Sequence, residues 1–263
     1  MGIPMSNYRR ITLFGLVLLA VSILLNCTKE VGEDELVQRN GLIYERNSDE
    51  PFSGNVVKYK SGQKIEEFPV EDGIQEGIKR LWYDDGQIKG KFKFTAGEVN
   101  GTFEMWHENG KKSVEQEYSH GVEDGTFESW HENGKKDVEL EFEDGLIDGT
   151  YESWYENGQK KFKIDLKSGT FDGDFESWHE NGKKCIIIDD IKSTEVLESP
   201  YLVYLSALGI ESIAKLQYSR SYILDGTYRD WYENGQKKTK AEFDDGELDG
   251  PIKRWDEDGK RMN

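Results

Sequence analysis

Apolar and polar residues alternate in short segments along most of the chain, and this alternation recurs every 24 residues. All seven tryptophans fall in one register: Trp82, Trp106, Trp130, Trp154, Trp178, Trp231 and Trp255. A glycine lies five residues before each of them: Gly77, Gly101, Gly125, Gly149, Gly173, Gly226 and Gly250. Such self-similarity predicts an array of repeats in which each copy is one supersecondary unit.

The pattern within one copy predicts a β-hairpin. In the copy that starts at Gly125, Val138, Leu140 and Phe142 alternate with acidic residues, as in a strand with one buried face. Asn-Gly pairs precede the second strands at residues 109–110, 133–134, 157–158, 181–182 and 234–235, and Asp-Gly replaces them at 85–86 and 258–259. Asn-Gly favours positive φ at both central positions, so a type I′ turn is predicted at each pair.

A second loop containing glycine, such as residues 143–149, separates each hairpin from the next. The chain must reverse there to begin another copy, so the strands lie side by side in sequence order. The predicted fold is therefore all-β, an elongated meander of successive β-hairpins. One hairpin is too small to be stable alone, so each copy is expected to depend on contacts with its neighbours.

Two rows of aromatic residues follow from the period. One row consists of Phe103, Phe127, Tyr151, Phe175 and Tyr228, and the tryptophans lie three residues further along each copy. That spacing puts the two rows on opposite faces of a regular strand, and the sequence leaves open whether a bulge or a curl brings them together. We interpret both rows as core, because large aromatic side chains stabilise a fold most when buried. A ligand platform is the alternative for these rows.

The period defines the domain organisation. Residues 41–192 form one block of repeats, beginning with a weaker copy in which Tyr59 takes the tryptophan position, and residues 222–263 form a second block. Residues 193–221 lack the glycine and tryptophan marks. An inserted helix near residues 196–217 and a degenerate repeat both fit this segment, because its leucines and isoleucines approach a helical period. An irregular insert of this kind is a reasonable place for a partner site.

The N-terminal 26 residues have the features of an export signal. Arg9 and Arg10 precede an apolar run from Ile11 to Leu25. The run is shorter than the roughly 20 residues of a membrane span. Leu24 to Cys27 resembles a bacterial lipobox, which implies lipidation of Cys27 and a tether over residues 27–40. An uncleaved membrane anchor is the alternative, and both place the repeats outside the cytoplasm, in a bacterial envelope at the outer membrane or cell surface.

Charge narrows the classes of partner. The chain has 52 acidic and 34 basic residues, for a net charge of −18. This balance argues against nucleic-acid binding, which relies on clustered cations, and against adhesion to anionic lipids. Cys185 is the only cysteine besides Cys27, so lipidation of Cys27 would leave no intramolecular disulfide. Cys185 is expected to be buried beside Ile186, Ile187 and Ile188.

The Gly-x-Tyr/Phe-x-x-Trp-x-x-Asn-Gly pattern resembles the bacterial variant of the MORN repeat, found in YwqK-type antitoxin-like proteins. The resemblance covers about residues 41–263, apart from the insert. It implies an elongated scaffold of hairpins that serves as a binding or assembly module, without shared catalytic residues. The antitoxin label implies that a toxin is neutralised by protein contact.

Candidate chemistry is sparse. His107, His131 and His179 each follow a tryptophan, but tyrosine takes this position in other copies, so a catalytic or ligand role is not expected. An aspartate precedes the glycine that starts a copy at Asp124, Asp148, Asp172, Asp225 and Asp249. These aspartates fit ordinary turn chemistry better than a calcium ladder. No Ser-His-Asp, P-loop or zinc spacing is present, so we expect no enzyme activity, no metal and no cofactor.

These features together predict a non-catalytic, lipid-anchored repeat protein that binds an unidentified protein partner, in an antitoxin-like or immunity-like role. Binding of cell-wall material or glycans by exposed tryptophan and tyrosine rows is the second hypothesis, since sugars stack on aromatic rings. The two hypotheses differ in the exposure of the tryptophans.

Overall fold

The structure is a computed structural model that describes residues 29–193 and 222–262. The signal segment, Cys27 and nearly all of the insert, including the helix considered near residues 196–217, lie outside the described residues. The N-terminal strands are β1 (Glu30–Gly32), β2 (Leu36–Arg39), β3 (Leu42–Glu45), β4 (Gly54–Lys60), β5 (Gln63–Glu71), β6 (Ile74–Gln75), β7 (Gly77–Trp82) and β8 (Ile88–Thr95). A 3₁₀ turn at Glu33–Glu35 separates β1 from β2.

The regular copies follow along the chain. Their strands are β9 (Glu98–Trp106), β10 (Lys112–Ser119), β11 (Val122–Trp130), β12 (Lys136–Glu143), β13 (Leu146–Ile147), β14 (Gly149–Trp154), β15 (Lys160–Lys167), β16 (Thr170–Trp178), β17 (Lys184–Ser193), β18 (Tyr222–Leu224), β19 (Gly226–Trp231), β20 (Lys237–Asp244), β21 (Glu247–Leu248), β22 (Lys253–Trp255) and β23 (Arg261–Met262).

From β4 to β23 successive strands pair antiparallel in one open sheet. The short strands β6, β13, β18 and β21 each pair with the same partner strand as the strand that follows them. The predicted all-β meander of hairpins is therefore confirmed. β2 and β3 form a separate hairpin. Residues 27–40 were expected as a tether, but β1 pairs in parallel with β4, and Val31 of β1 is buried. Val31 and Leu36 pack in the N-terminal apolar cluster, which explains why this segment lies against the sheet.

The sheet continues across the interval at residues 194–221. β17 pairs directly with β18 and β19, with Ser193 opposite Tyr222 and Ile187 opposite Arg229. The copy that starts at Gly226 therefore stacks on the copy that starts at Gly173. Ser193 and Tyr222, which flank this interval in sequence, are paired neighbours in the sheet.

The prediction of type I′ turns at Asn-Gly is wrong. In each pair only the glycine has positive φ, for example 78° at Gly110. The Gly110 amide donates to the His107 carbonyl at 2.9 Å, and the His107 amide donates to the Lys111 carbonyl at 2.9 Å. This is a three-residue loop with a type I turn and a left-handed glycine. Two-residue turns with positive φ at both positions lie on the opposite edge, as at Asp144-Gly145.

The core lies on one face of the sheet. Its buried residues run from Leu140 to Phe243 and include Ile164, Ile188 and Tyr228. Tyr151 and Tyr228 of the Phe/Tyr row are buried, whereas Phe127 and Phe175 are half-buried and pack against the same cluster. We call this side the apolar face. A smaller cluster, comprising Val31, Phe52, Val56 and Val70, closes the N-terminal end.

Candidate functional site

The tryptophans lie on the face opposite the core, together with lysine and glutamate. Trp130 is paired with Lys136 across the hairpin. The Lys136 Nζ lies 2.6 Å from Glu128 Oε1 and 2.8 Å from Glu139 Oε2, and 5.7 Å from the centre of the Trp154 ring. Partial burial disfavours the charge on Lys136, but the hydrogen bonds to both carboxylates outweigh it and raise the pKa. We call this side the Trp–Lys–Glu face.

All seven tryptophans are half-buried, so the interpretation of their row as core is wrong. Regular alternation places this row away from the Phe/Tyr row. Lysine ammonium groups lie over several of the indole rings, most closely Lys184 at 4.2 Å from the centre of the Trp178 ring. Cation–π contacts of this kind occupy ring faces on which a sugar would otherwise stack.

The residue after each of the first six tryptophans holds neighbouring copies together. The His131 Nε2 lies 3.0 Å from the Trp154 carbonyl oxygen, and the Tyr155 hydroxyl donates to the Trp178 carbonyl at 2.9 Å. His179 reaches Trp231 in the same way across the insert, at 3.0 Å. Histidine and tyrosine interchange here because both carry a hydrogen-bonding group at the far end of a ring.

The asparagine of each Asn-Gly pair makes two structural contacts. The Asn157 Oδ1 accepts from the Gln159 amide at 2.8 Å, which stabilises its own turn, and the Asn157 Nδ2 donates to the Glu180 carbonyl of the next copy at 2.7 Å. Asn181 donates to Glu233 in the same manner at 2.8 Å. We call these asparagine and His/Tyr contacts the inter-copy ladder. Sequence reasoning assigned the asparagines only to turn geometry and missed their role between copies.

A cleft of about 350 Å³ interrupts the apolar face between β10 and β15. Its apolar lining consists of Phe127, Val138, Leu140, Phe142, Ile147 and Tyr151. Tyr118, Glu123, Asp137 and Lys161 also line it, and we call these four residues its rim. Ser153 also lines the cleft, is 3% exposed, and has no hydrogen-bond partner for its Oγ.

The repeating unit matches a known family model. The model of the MORN repeat variant matches residues 99–120, 123–144, 147–167 and 224–245. The chain contains MORN repeats. Each matched segment covers one hairpin of the meander, and the MORN-like pairs β7–β8 and β16–β17, outside these segments, have the same strand pairing. A comparison with curated proteins found no match.

The repeat glycines that lie five residues before the tryptophans share one backbone conformation. Gly101, Gly125, Gly149, Gly173, Gly226 and Gly250 have φ between 91° and 141°. Backbone in this region is strained for any residue with a Cβ. The recurrence of glycine at this position therefore follows from backbone geometry.

The aspartates beside these glycines act in turns of the MORN array. The Asp148 Oδ2 accepts from the Ser168 amide at 2.9 Å. Glu76 replaces aspartate in an earlier copy, and its Oε2 accepts from the Ala96 amide at 2.7 Å. Both amides belong to residues with positive φ in the neighbouring loop. Within residues 29–193 and 222–262, no group of three or more His, Cys, Asp or Glu side chains is arranged to hold a metal ion.

Cys185 is half-buried on β17. Burial raises the pKa of its thiol, and a hydrogen bond with Ser177 partly opposes this rise. The thiol is therefore poorly ionised at neutral pH. Cys27 is outside the described part of the chain, and none of the helices within that part is long and apolar enough to span a membrane.

Replacing Asn157 with aspartate is expected to lower the free energy of unfolding by about 1 kcal/mol. The carboxylate keeps the acceptor for the Gln159 amide but loses the donor to the Glu180 carbonyl. Urea denaturation followed by circular dichroism measures the change. The matched control is Asp258→Asn in the final Asp-Gly pair. This substitution introduces an amide donor, but no following copy is present in the described chain to accept from it. Equal effects of the two substitutions would contradict the ladder.

Proposed function

We propose that this chain is a non-catalytic binding scaffold of the bacterial cell envelope, that a lipid on Cys27 anchors it, and that its MORN repeats bind a partner protein. The binding role is supported by the contrast between the regular contacts that join the copies and two places where this regularity is interrupted. Recurring polar groups, such as Asn157 and Tyr155, hold neighbouring copies together. The cleft and the insertion point at Ser193 are local departures from this regularity, and departures of this kind are where repeat arrays commonly bind partners.

The envelope part of the proposal rests on the N-terminal sequence. Two arginines, an apolar run too short for an ordinary span and a cysteine directly after it fit a lipoprotein signal. The resemblance to YwqK-type repeat proteins extends the proposal to an immunity-like role. In that role the chain neutralises an effector outside the cytoplasm by protein contact.

The glycan alternative has weaker support. A stacking platform needs exposed indole faces, whereas the tryptophans are half-buried and Lys112, Lys160 and Lys184 lie within 5.9 Å of indole ring centres. A pull-down with isolated peptidoglycan and cell-wall polysaccharide distinguishes the two functions. The protein-binding proposal predicts that the chain stays in the supernatant.

Affinity capture from envelope extracts tests the binding role. The bait is the chain without residues 1–26, with Cys27 replaced by serine, and we expect it to retain a specific protein at equimolar amounts. The matched variant replaces residues 194–221 with Asn-Gly, because Ser193 and Tyr222 are paired and a two-residue turn can join them. Partners lost only from this variant locate recognition in the insert. Failure of both baits to retain any protein would refute the proposal.

Metabolic labelling with palmitate tests the anchor. We expect label in the full-length chain and none in the Cys27→Ser variant, because thioether-linked diacylglycerol needs the thiol. The Cys185→Ser variant is the control and keeps the label, since its thiol is half-buried in the sheet. Label in the Cys27→Ser variant, or in neither chain, would contradict lipidation at Cys27.

A further inference from the structure

We propose that the cleft on the apolar face is a docking site for a segment of the partner protein that presents a large apolar side chain beside a lysine or arginine. This inference rests on the proposed binding function and adds the place of contact and the chemistry of the contacting segment. It is carried by the shape of the cleft, by an unpartnered buried hydroxyl and by an unusual charge at the rim.

The cleft exists because two positions hold small side chains. Val138 occupies the position that Phe162 occupies one copy further along, since each is paired with the serine before the tryptophan. Ser129 occupies the position of Met105 in the preceding copy. Phe162 packs edge-on against Tyr151, with 4.8 Å between the ring centres. The preceding copy pairs Met105 with Val114, and the following copy pairs Ser153 with Phe162. Each of these neighbours therefore has one large side chain at the two positions, whereas the copy with Ser129 and Val138 has none.

The size and polarity of the cleft fit a side-chain anchor. A volume of about 350 Å³ is at the lower end of the roughly 300–1,000 Å³ of ligand sites. The lining is mainly apolar, and the Oγ of Ser153 is buried without a partner. An unsatisfied buried hydroxyl is costly, so an occupant with a hydrogen-bonding group near the apolar anchor is favoured.

The rim determines the charge of the occupant. Asp137 follows the lysine at the start of β12, and the corresponding residues of other copies are Lys89, Ser113, Lys161, Cys185 and Lys238. The Asp137 side chain is 43% exposed, and its contacts are a 3.4 Å hydrogen bond from Ser129 and a 3.5 Å approach of the His131 ring. Glu123 adds a second carboxylate at the rim.

The only lysine of the lining does not neutralise this charge. The Lys161 ammonium lies 5.8 Å from the centre of the Tyr155 ring, and the same lysine–tyrosine pair recurs as Lys89 with Tyr83 and Lys238 with Tyr232. With a net charge of −18, the chain also attracts cationic partners over longer distances. A basic residue beside the apolar anchor therefore complements the rim.

Selection from a phage-displayed random peptide library tests the proposal. The target is the biotinylated Cys27→Ser chain without residues 1–26. The V138F protein, in which the residue of the next copy fills the cleft, serves for counter-selection. We expect enriched peptides to share a large apolar residue next to lysine or arginine. Fluorescence anisotropy with the enriched peptides then measures affinity for each variant.

Two filling variants and two charge variants provide the controls. V138F and S129M, which use side chains native to neighbouring copies, are expected to weaken binding at least about tenfold. D137K is expected to weaken it by about tenfold, whereas D137E remains within about twofold. Each variant must keep a cooperative thermal transition. Peptides that bind V138F or D137K as tightly as the parent, or a selection without enrichment, would overturn the proposal.

The peptide experiment and the capture experiment test the cleft and the binding scaffold separately. If partners captured from envelope extracts bind V138F and D137K unchanged, the cleft is not the docking site while the binding scaffold stands. If neither a partner nor a peptide is retained, both proposals fail.

Discussion

Substitution of Ile188 by alanine is expected to lower the free energy of unfolding by about 2–5 kcal/mol. Ile188 is 1% exposed and is paired with Phe175 on one side and Tyr228 on the other. It therefore joins two copies that are separated by the insert in sequence. Truncation removes buried apolar surface and leaves a cavity in a sheet that packs closely around it. Urea denaturation at neutral pH measures the loss.

Ile78 provides the matched control, because it is an isoleucine of the same sheet that is 41% exposed. Its replacement by alanine is expected to change stability by no more than about 0.5 kcal/mol. Equal losses at the two positions would mean that the core does not extend across the insertion point. An unchanged m-value in the Ile188→Ala variant would show that both chains unfold to similarly exposed states.

Stability is expected to fall by about 2 kcal/mol between pH 10 and pH 12 through the single phenol of Tyr151. Burial, aided by the charge of Asp137, raises the pKa of Tyr151 from 10.0 to about 12. Below pH 10 the phenol is neutral in both states and contributes no pH dependence. Between the two pKa values the unfolded chain ionises and the folded chain does not, so rising pH favours unfolding.

The Tyr151→Phe variant isolates this contribution, because phenylalanine occupies the same position in neighbouring copies as Phe127 and Phe175. Denaturation curves at pH 9 and pH 12 should show a smaller alkaline loss in the variant. Burial also raises the pKa of Tyr228. The ionisation of Tyr228 and of the lysines changes the stability of both chains equally. The same alkaline loss in both chains would contradict a neutral, buried Tyr151.

The period of the sequence predicted the meander, because a 24-residue unit with alternating apolar residues admits a hairpin more readily than any other element. The spacing of Phe127 and Trp130 put the two rows on opposite faces of a regular strand, but it left open whether a bulge or a curl brings them together. It did not reveal that only the face of Phe127 forms the core. The opposite face carries charged groups beside the indoles, such as Lys136, which contacts Glu128 and Glu139.

Turn propensities predicted the wrong turn type at the Asn-Gly pairs, because the asparagine side chain also forms a hydrogen bond with the neighbouring copy. Asn157 adopts negative φ and donates to a carbonyl in the next hairpin, a contact that a propensity scale for isolated hairpins does not contain. The pairing of lysine with tyrosine was visible in the sequence. Tyr83, Tyr155 and Tyr232 each have a lysine six residues later, whereas the histidines do not. Of the three residues that replace the lysine in the histidine copies, Ser113, Asp137 and Cys185, only Asp137 is acidic.

The cleft could not be predicted from the sequence. Val138 and Ser129 are unremarkable in a strand pattern, and the space they leave appears only when the cross-strand partners are known. The open volume depends on the combined position of residues from six strands, β10 to β15.

The central claim is that the distance between neighbouring copies is constant along the array. The two copies on either side of the insert are therefore as close together as any other neighbours. Distances between spin labels at Glu132 and Glu180, and at Glu156 and Glu233, test it directly in a chain with both native cysteines replaced by serine. All four sites are exposed at hairpin turns, and each pair spans two copies, although the first pair is 48 residues apart and the second 77. Four strands at about 4.8 Å predict roughly 20 Å for both pairs. A clearly longer distance between Glu156 and Glu233 would contradict the continuous array.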